Sequence, residues 1–123
     1  MRDEGGALDL RVRTKAFALR VIRVFGALPN TIEAQVIGKQ VLRSGTSVGA
    51  HYREACRARS DAEFISKIEG GLQELEETCY WLELLVESGI VPERKLSDLM
   101  AEANELTAIL VTCVKKTKQR KAR

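Results

Sequence analysis

The stretch Arg43–Leu85, RSGTSVGAHYREACRARSDAEFISKIEGGLQELEETCYWLELL, decides the fold. It holds the end of one helix, a compact corner and most of a second helix. Ser60-Asp61-Ala62-Glu63 has the S-x-x-E spacing of a capping box. In that box the Ser60 hydroxyl accepts from the Glu63 N–H, and the Glu63 carboxylate reaches back to the Ser60 N–H. Acids at Asp61 and Glu63 also suit the positive end of a helix dipole. From there Phe64, Ile65, Ile68, Leu72, Leu75, Cys79, Leu82 and Val86 recur every three or four residues, which makes one long apolar stripe. Gly89 ends the helix and Pro92 follows it.

Before the corner, Ala34, Ile37, Val41, Val48, Tyr52 and Ala55 form the core stripe of an earlier helix. Gly38, Gly45 and Gly49 lie beside that stripe. Each glycine costs a helix about 1 kcal/mol relative to alanine. Either a neighbouring helix approaches closely there, or the helix bends near Ser44–Gly49, since Gly and Ser pairs are common kink sites.

Two more helices complete the pattern. The first is expected from Leu8 to Leu28, with Leu10, Phe17, Val21, Val24, Phe25 and Leu28 on one side. A narrower strip, Val12, Leu19 and Gly26, lies opposite. It marks either self-association or a scatter of exposed aliphatics. Leu28-Pro29-Asn30-Thr31 is a short connection, and Asn30 or Thr31 caps a second helix from Ile32 to Arg59. The third runs over Asp61–Ser88. The fourth starts near Glu93 and reaches about Lys116, with Leu96, Leu99, Ala103, Leu106, Leu110 and Cys113 as a heptad seam. No period-two alternation or hairpin dipeptide signals a strand. The expected fold is all-α, an antiparallel up-and-down four-helix bundle. Residues 1–7 form a flexible N-terminal tail, 8–117 the bundle domain and 118–123 a basic C-terminal tail.

Composition agrees. The chain has 123 residues, 45% hydrophobic and 30% charged, which suits one globular domain with its own core. No uninterrupted apolar run is long enough for a membrane span, and Met1–Gly6 lacks the apolar core of a signal peptide. Cys56, Cys79 and Cys113 are odd in number and widely spaced, so they read as reduced thiols of a cytoplasmic protein.

Net charge is only +3, but it is unevenly distributed. Arg11, Arg13, Lys15, Arg20 and Arg23 occupy residues 10–32 with no acid. Lys39, Arg43, Arg53, Arg57 and Arg59 follow against Glu54. Residues 60–88 are acidic, and six basic residues crowd the end of the chain. Basic and acidic faces are expected. Arg13, Arg20, Arg23, Lys39, Arg43, Arg53 and Arg57 are the candidate nucleic-acid contacts. With few aromatic residues to stack bases, any binding is expected to be dominated by phosphates. The bland alternative is ordinary solubility plus pairing with nearby acids. Trp81, Leu84 and Leu85 fall off the main stripe of the third helix, and with Val12 and Leu19 they are the candidate subunit interface.

Ser44, Ser47, His51 and Glu54 form a polar line on the second helix. A hydrolase would use a serine as nucleophile, His51 as base and Glu54 to orient it. Side chains along one helix surface seldom converge on one substrate atom, so the line reads better as a polar seam against a facing helix or subunit. His51 is the only histidine and the cysteines lack C-x-x-C spacing, so neither a metal nor another cofactor is expected. Glu69, Glu76 and Glu83 read as a solvated acidic line or as partners for arginines.

Several motifs carry a family resemblance: Arg43-Ser44-Gly45-Thr46-Ser47-Val48-Gly49-Ala50, Tyr52-Arg53-Glu54-Ala55, Ser60–Ile68, Glu76-Glu77-Thr78 and Tyr80–Leu85. Over roughly residues 10–117 the chain resembles the bacterial four helix bundle protein family. That family includes proteins encoded in intervening sequences of large-subunit ribosomal RNA genes. It commonly has Asn where this chain has His51. The resemblance implies a four-helix bundle assembled as a homopentameric ring. The chain is also similar to accessory variability proteins of diversity-generating retroelements, which implies RNA or DNA binding beside a reverse transcriptase. The expected function is a non-enzymatic oligomer that holds nucleic acid through phosphates. The alternative is a protein–protein scaffold, a partner of a reverse transcriptase or of a neighbouring gene product.

Overall fold

Thr31 and Ser60 each stop one run of chain and start the next helix. Both have extended backbones, and their hydroxyls accept from the N–H groups of Ala34 at 3.2 Å and Glu63 at 3.0 Å. Each satisfies one of the donors that a helix start leaves unpaired. The return half of the predicted capping box differs: the Glu63 carboxylate accepts from the N–H of Arg59, at 3.4 Å, one residue before the cap. The third helix stops at Gly89, whose φ of 80° is the left-handed conformation glycine adopts without strain. There the Gly89 N–H donates to the Val86 carbonyl, and the Val91 N–H to that of Leu85.

The computed structural model describes the backbone of residues 4–122 and the side chains of residues 10–120. Four helices make up the described chain: α1 (Glu4–Ala27), α2 (Ile32–Cys56), α3 (Asp61–Glu87) and α4 (Glu93–Ala122). They form a four-helix bundle. α1 starts earlier than expected and α4 ends later, so residues 4–7 and 118–122 are helical; residues 1–3 of the expected tail lie outside the described residues. α2 ends at Cys56, three residues before the expected Arg59, and stays one continuous helix through the glycines.

α2 packs against α1 on one side and α3 on the other, α3 packs against α4, and α1 meets α4 lightly. Among the described residues the backbones of α1 and α3 do not come close, nor do those of α2 and α4. The core joins Leu10, Phe17 and Val21 of α1, Val41 and Val48 of α2, Ile68, Leu75 and Leu82 of α3, and Leu96, Leu106 and Leu110 of α4.

The predicted stripes are largely the buried ones, but each helix buries more than its apolar stripe. Thr14 of α1 is fully buried, its hydroxyl donating to the Leu10 carbonyl. On α4 the seam continues past Leu110 through Val114 and Thr117. On α3 a second line, Gly71, Thr78 and Leu85, is buried beside Ile68, Leu75 and Leu82. Leu85 is 0% exposed, so it belongs to the core and not to the expected interface strip. The reason is that α3 has two neighbours, α2 and α4, and one stripe covers only one of them.

No described helix is long and apolar enough to cross a membrane.

Candidate nucleic-acid interface

The α1 side of α2 is made of absent side chains. A Cβ on Gly45 would stand 2.7 Å from Val21 Cγ2, and one on Gly49 would stand 3.1 Å from the Thr14 hydroxyl. A Cβ on Gly38 would run into Leu28 and Phe25. The glycine line therefore marks close helix approach.

The α3 side of α2 carries the predicted polar seam, and the structure gives each member a position. Ser44 is buried: its hydroxyl donates to the Gln40 carbonyl at 2.8 Å and lies 2.8 Å from the Thr78 hydroxyl. Ser47 donates to the Arg43 carbonyl within its own helix. His51 stands over Gly70, whose missing side chain makes the room; an added Cβ there would lie 2.8 Å from the imidazole. Its Nε2 is 3.8 Å from Glu74 Oε2. Glu54 sits 3.0 Å from Lys67 Nζ. That ammonium, through a hydrogen bond and its charge, holds the Glu54 carboxyl below its ordinary range. Ser44, His51 and Glu54 thus face successive α3 partners, Thr78, Glu74 and Lys67, while Ser47 bonds within α2.

Three buried atoms make no hydrogen bond among the described residues: His51 Nδ1, Glu74 Oε1 and Trp81 Nε1. Glu74 Oε1 is 3.5 Å from the Arg43 guanidinium, close enough for attraction but not aligned as a hydrogen bond.

The seven candidate phosphate contacts divide. Arg13 forms a bidentate pair with Glu102 of α4, at 3.1 and 2.8 Å, and reaches Glu105 at 3.2 Å. Arg43 pairs with Glu77 of α3 at 2.6 Å. These two guanidiniums tie neighbouring helices together, because the bundle places acids of α4 and α3 within their reach; this is the pairing with nearby acids that the sequence offered as the alternative reading of its basic residues. Arg20, Arg23, Lys39, Arg53 and Arg57 form no ion pair among the described residues. Lys39 is exposed on α2 and Arg57 is exposed at its C-cap, with Arg53 half-buried in the last turn of α2. Arg20 is half-buried and Arg23 exposed on α1. The C-terminal basic run is partly spent in the same way, since Arg120 meets Asp61 at 2.7 Å and Lys118 lies 3.7 Å from Glu69.

Of the candidate interface residues, Val12 is 65% exposed and Leu19 45%. Trp81 and Leu84 are half-buried. Trp81 meets the exposed Tyr80 edge-on, with ring centroids 5.0 Å apart. Sequence reasoning missed Ile22, which is 47% exposed and extends the α1 strip; its spacing of three residues from Leu19 was the available signal. It also missed Thr78, because a threonine inside an acidic run carries no sign that it is buried. Cys56 and Cys79 carry free thiols, and burial together with the nearby Glu83 and Glu76 pushes the Cys79 thiol pKa up.

The chain matches the model of the 23S rRNA-intervening sequence protein family over residues 7–112. No curated protein matches it. Among solved structures it is similar to a protein with unknown function from the S23 ribosomal protein family, from Bacteroides thetaiotaomicron. The two chains are 35% identical with a TM-score of 0.83, over 89% of this chain and 97% of that one. Four packed helices of this register, with the glycine line and polar seam on α2, thus belong to a member of the 23S rRNA-intervening sequence protein family.

Proposed function

We propose that this chain is a non-catalytic, cytoplasmic bundle protein that assembles as a ring of five and holds nucleic acid by its phosphates. The contacts are Lys39 and Arg53 of α2 and Arg57 just past its end, aided by Arg20 of α1. One observation supports this above the others: these cations form no ion pair among the described residues, while Arg13, Arg43, Lys118 and Arg120 are engaged by acids of neighbouring helices. A cation already held by a carboxylate loses that partner when it turns to a phosphate; an unpaired one does not. The helices run up and down in antiparallel order, a reading supported by paired positions. Thr14 lies at Gly49, Val21 at Gly45 and Phe25 at Gly38, while on the other side Ser44 meets Thr78 and Glu54 meets Lys67. Three or four cations per subunit are few for tight binding, and repetition round a ring multiplies them.

Filter binding over a salt series tests this reading. Affinity for duplex or single strands should fall steeply as salt rises, by roughly 10³-fold or more between 50 and 200 mM if six or more phosphates are engaged. Alanine at Lys39, Arg53 and Arg57 together should weaken binding equally for unrelated sequences. No binding at low salt would remove the reading and leave the protein–protein scaffold.

A further inference from the structure

α1 and α3 sit at opposite corners of the bundle, since among the described residues the backbone of each runs close to α2 and α4 and not to the other. Their exposed faces therefore point in opposite directions. Both faces repeat at alternating spacings of three and four, the pattern of a helix prepared for a second helix. The α1 face shows Val12, Lys15, Leu19, Ile22 and Arg23, all exposed, with no acid among its described side chains. The α3 face shows Glu69, Glu76, Tyr80, Glu83 and Glu87, all exposed, with no base. Tyr80, 54% exposed, supplies apolar surface at its centre. Glu69 also lies 3.7 Å from Lys118, and the other four acidic and aromatic residues have no such ion pair among the described residues.

We propose that the occupant of each face is the other face of a second copy of this chain: the basic, aliphatic face of α1 docks on the acidic, tyrosine-bearing face of α3. Both contain what the other lacks in charge, and both expose apolar side chains that water does not favour. Because the two faces differ and lie on opposite sides, the contact is heterologous. It carries on from copy to copy until the rotation closes a ring, or it grows as a filament. This assignment rests on the oligomer proposed above and names its surfaces. It leaves Lys39 and Arg53 of α2, and Arg57 at its end, outside the contact, available to phosphates.

Charge exchange on the full chain tests it, with native mass spectrometry and light scattering at low salt as the readouts. The unaltered chain should be oligomeric. Glu76→Lys with Glu83→Lys should give monomers, and so should Lys15→Glu with Arg23→Glu. All four residues are exposed, so circular dichroism should show unchanged helix. The four substitutions combined in one chain should restore the oligomer, because the repelling faces become complementary again. An unchanged oligomer in either two-residue variant, or a four-residue variant that stays monomeric, overturns the assignment of faces while the oligomer itself stands. A monomeric unaltered chain removes the oligomer and with it the proposal.

Discussion

The two flanks of α2 solve the same packing problem by opposite means. Toward α1 the helix offers Gly38, Gly45 and Gly49, and the neighbour's Val21, Phe25 and Thr14 fill the space. Toward α3 it offers Ser44, His51 and Glu54, and the neighbour answers with Thr78, Glu74 and Lys67. The first contact is held by shape and dispersion, where an added atom has nowhere to go. The second is held by polar pairs of graded burial, each of which contributes modestly and leaves a cost only if half of it is removed. The glycine flank should thus be the brittle one and the polar flank the forgiving one.

Gly45→Leu is the severest way to break that contrast. The Cβ alone would stand 2.7 Å from a Val21 that is fully buried and branched, so the helices must separate. We expect a loss of about 3 kcal/mol or more in urea unfolding, with Gly45→Ala costing about 1–3 kcal/mol. A Gly45→Ala protein as stable as the original would mean the flank is loosely packed.

Gly70→Ala sharpens the same point from the other flank. Its Cβ would also meet an atom at 2.8 Å, but that atom belongs to His51, whose side chain is 31% exposed and can swing outward. Alanine then recovers up to about 1 kcal/mol of helix propensity, so the expected change is near zero or stabilising. Two glycines with nearly equal clearances should give opposite signs.

Ser44→Ala should cost about 1 kcal/mol, since it deletes the bond to the Gln40 carbonyl and leaves the buried Thr78 hydroxyl with only the Glu74 carbonyl as partner. Combining it with Thr78→Val should cost less than the sum of the two, and a double-mutant cycle reads the difference. Strict additivity would mean the two hydroxyls do not act together.

The smallest effect lies at the exposed end of the seam. The Glu54 carboxyl is held below its ordinary value of 4.5 by Lys67, so its folded pKa is depressed. The stabilisation is therefore present above the unfolded pKa and lost as pH falls through the lower folded one. Urea midpoints measured across about pH 5 to pH 3 should drop slightly less in Lys67→Met than in the unaltered chain. Both groups are well exposed, so solvent screens most of the interaction.

Much of the fold was legible because its signals are local. The Ser60 cap, the Gly89 stop and the three- and four-residue spacing of Leu96, Leu99, Ala103, Leu106 and Leu110 each depend on residues within a turn or two of one another. Ser44, His51 and Glu54 likewise stood out as polar residues beside a core stripe that need partners, whereas the Ser47 hydroxyl finds its partner within α2. The basic surface was less legible. Arg13 and Arg20 lie one heptad apart on α1, yet only Arg13 is clasped by Glu102. That difference depends on how far along α4 the acids fall, which is set by packing between helices remote in sequence. Leu85 failed for the same reason: its burial follows from α3 having two neighbours at once.

The chain's own order of residues determined four amphipathic rods, where they begin and stop, and which side of each avoids water, since helix periodicity and capping act over a few bonds. Only the assembled bundle decided which glycines face Val21 and which face His51, which arginines are clasped and which stand free, and that the basic face of α1 and the acidic face of α3 look away from each other. Those outcomes depend on distances between residues far apart along the chain, and side-chain reach of a few ångströms leaves no trace in local sequence.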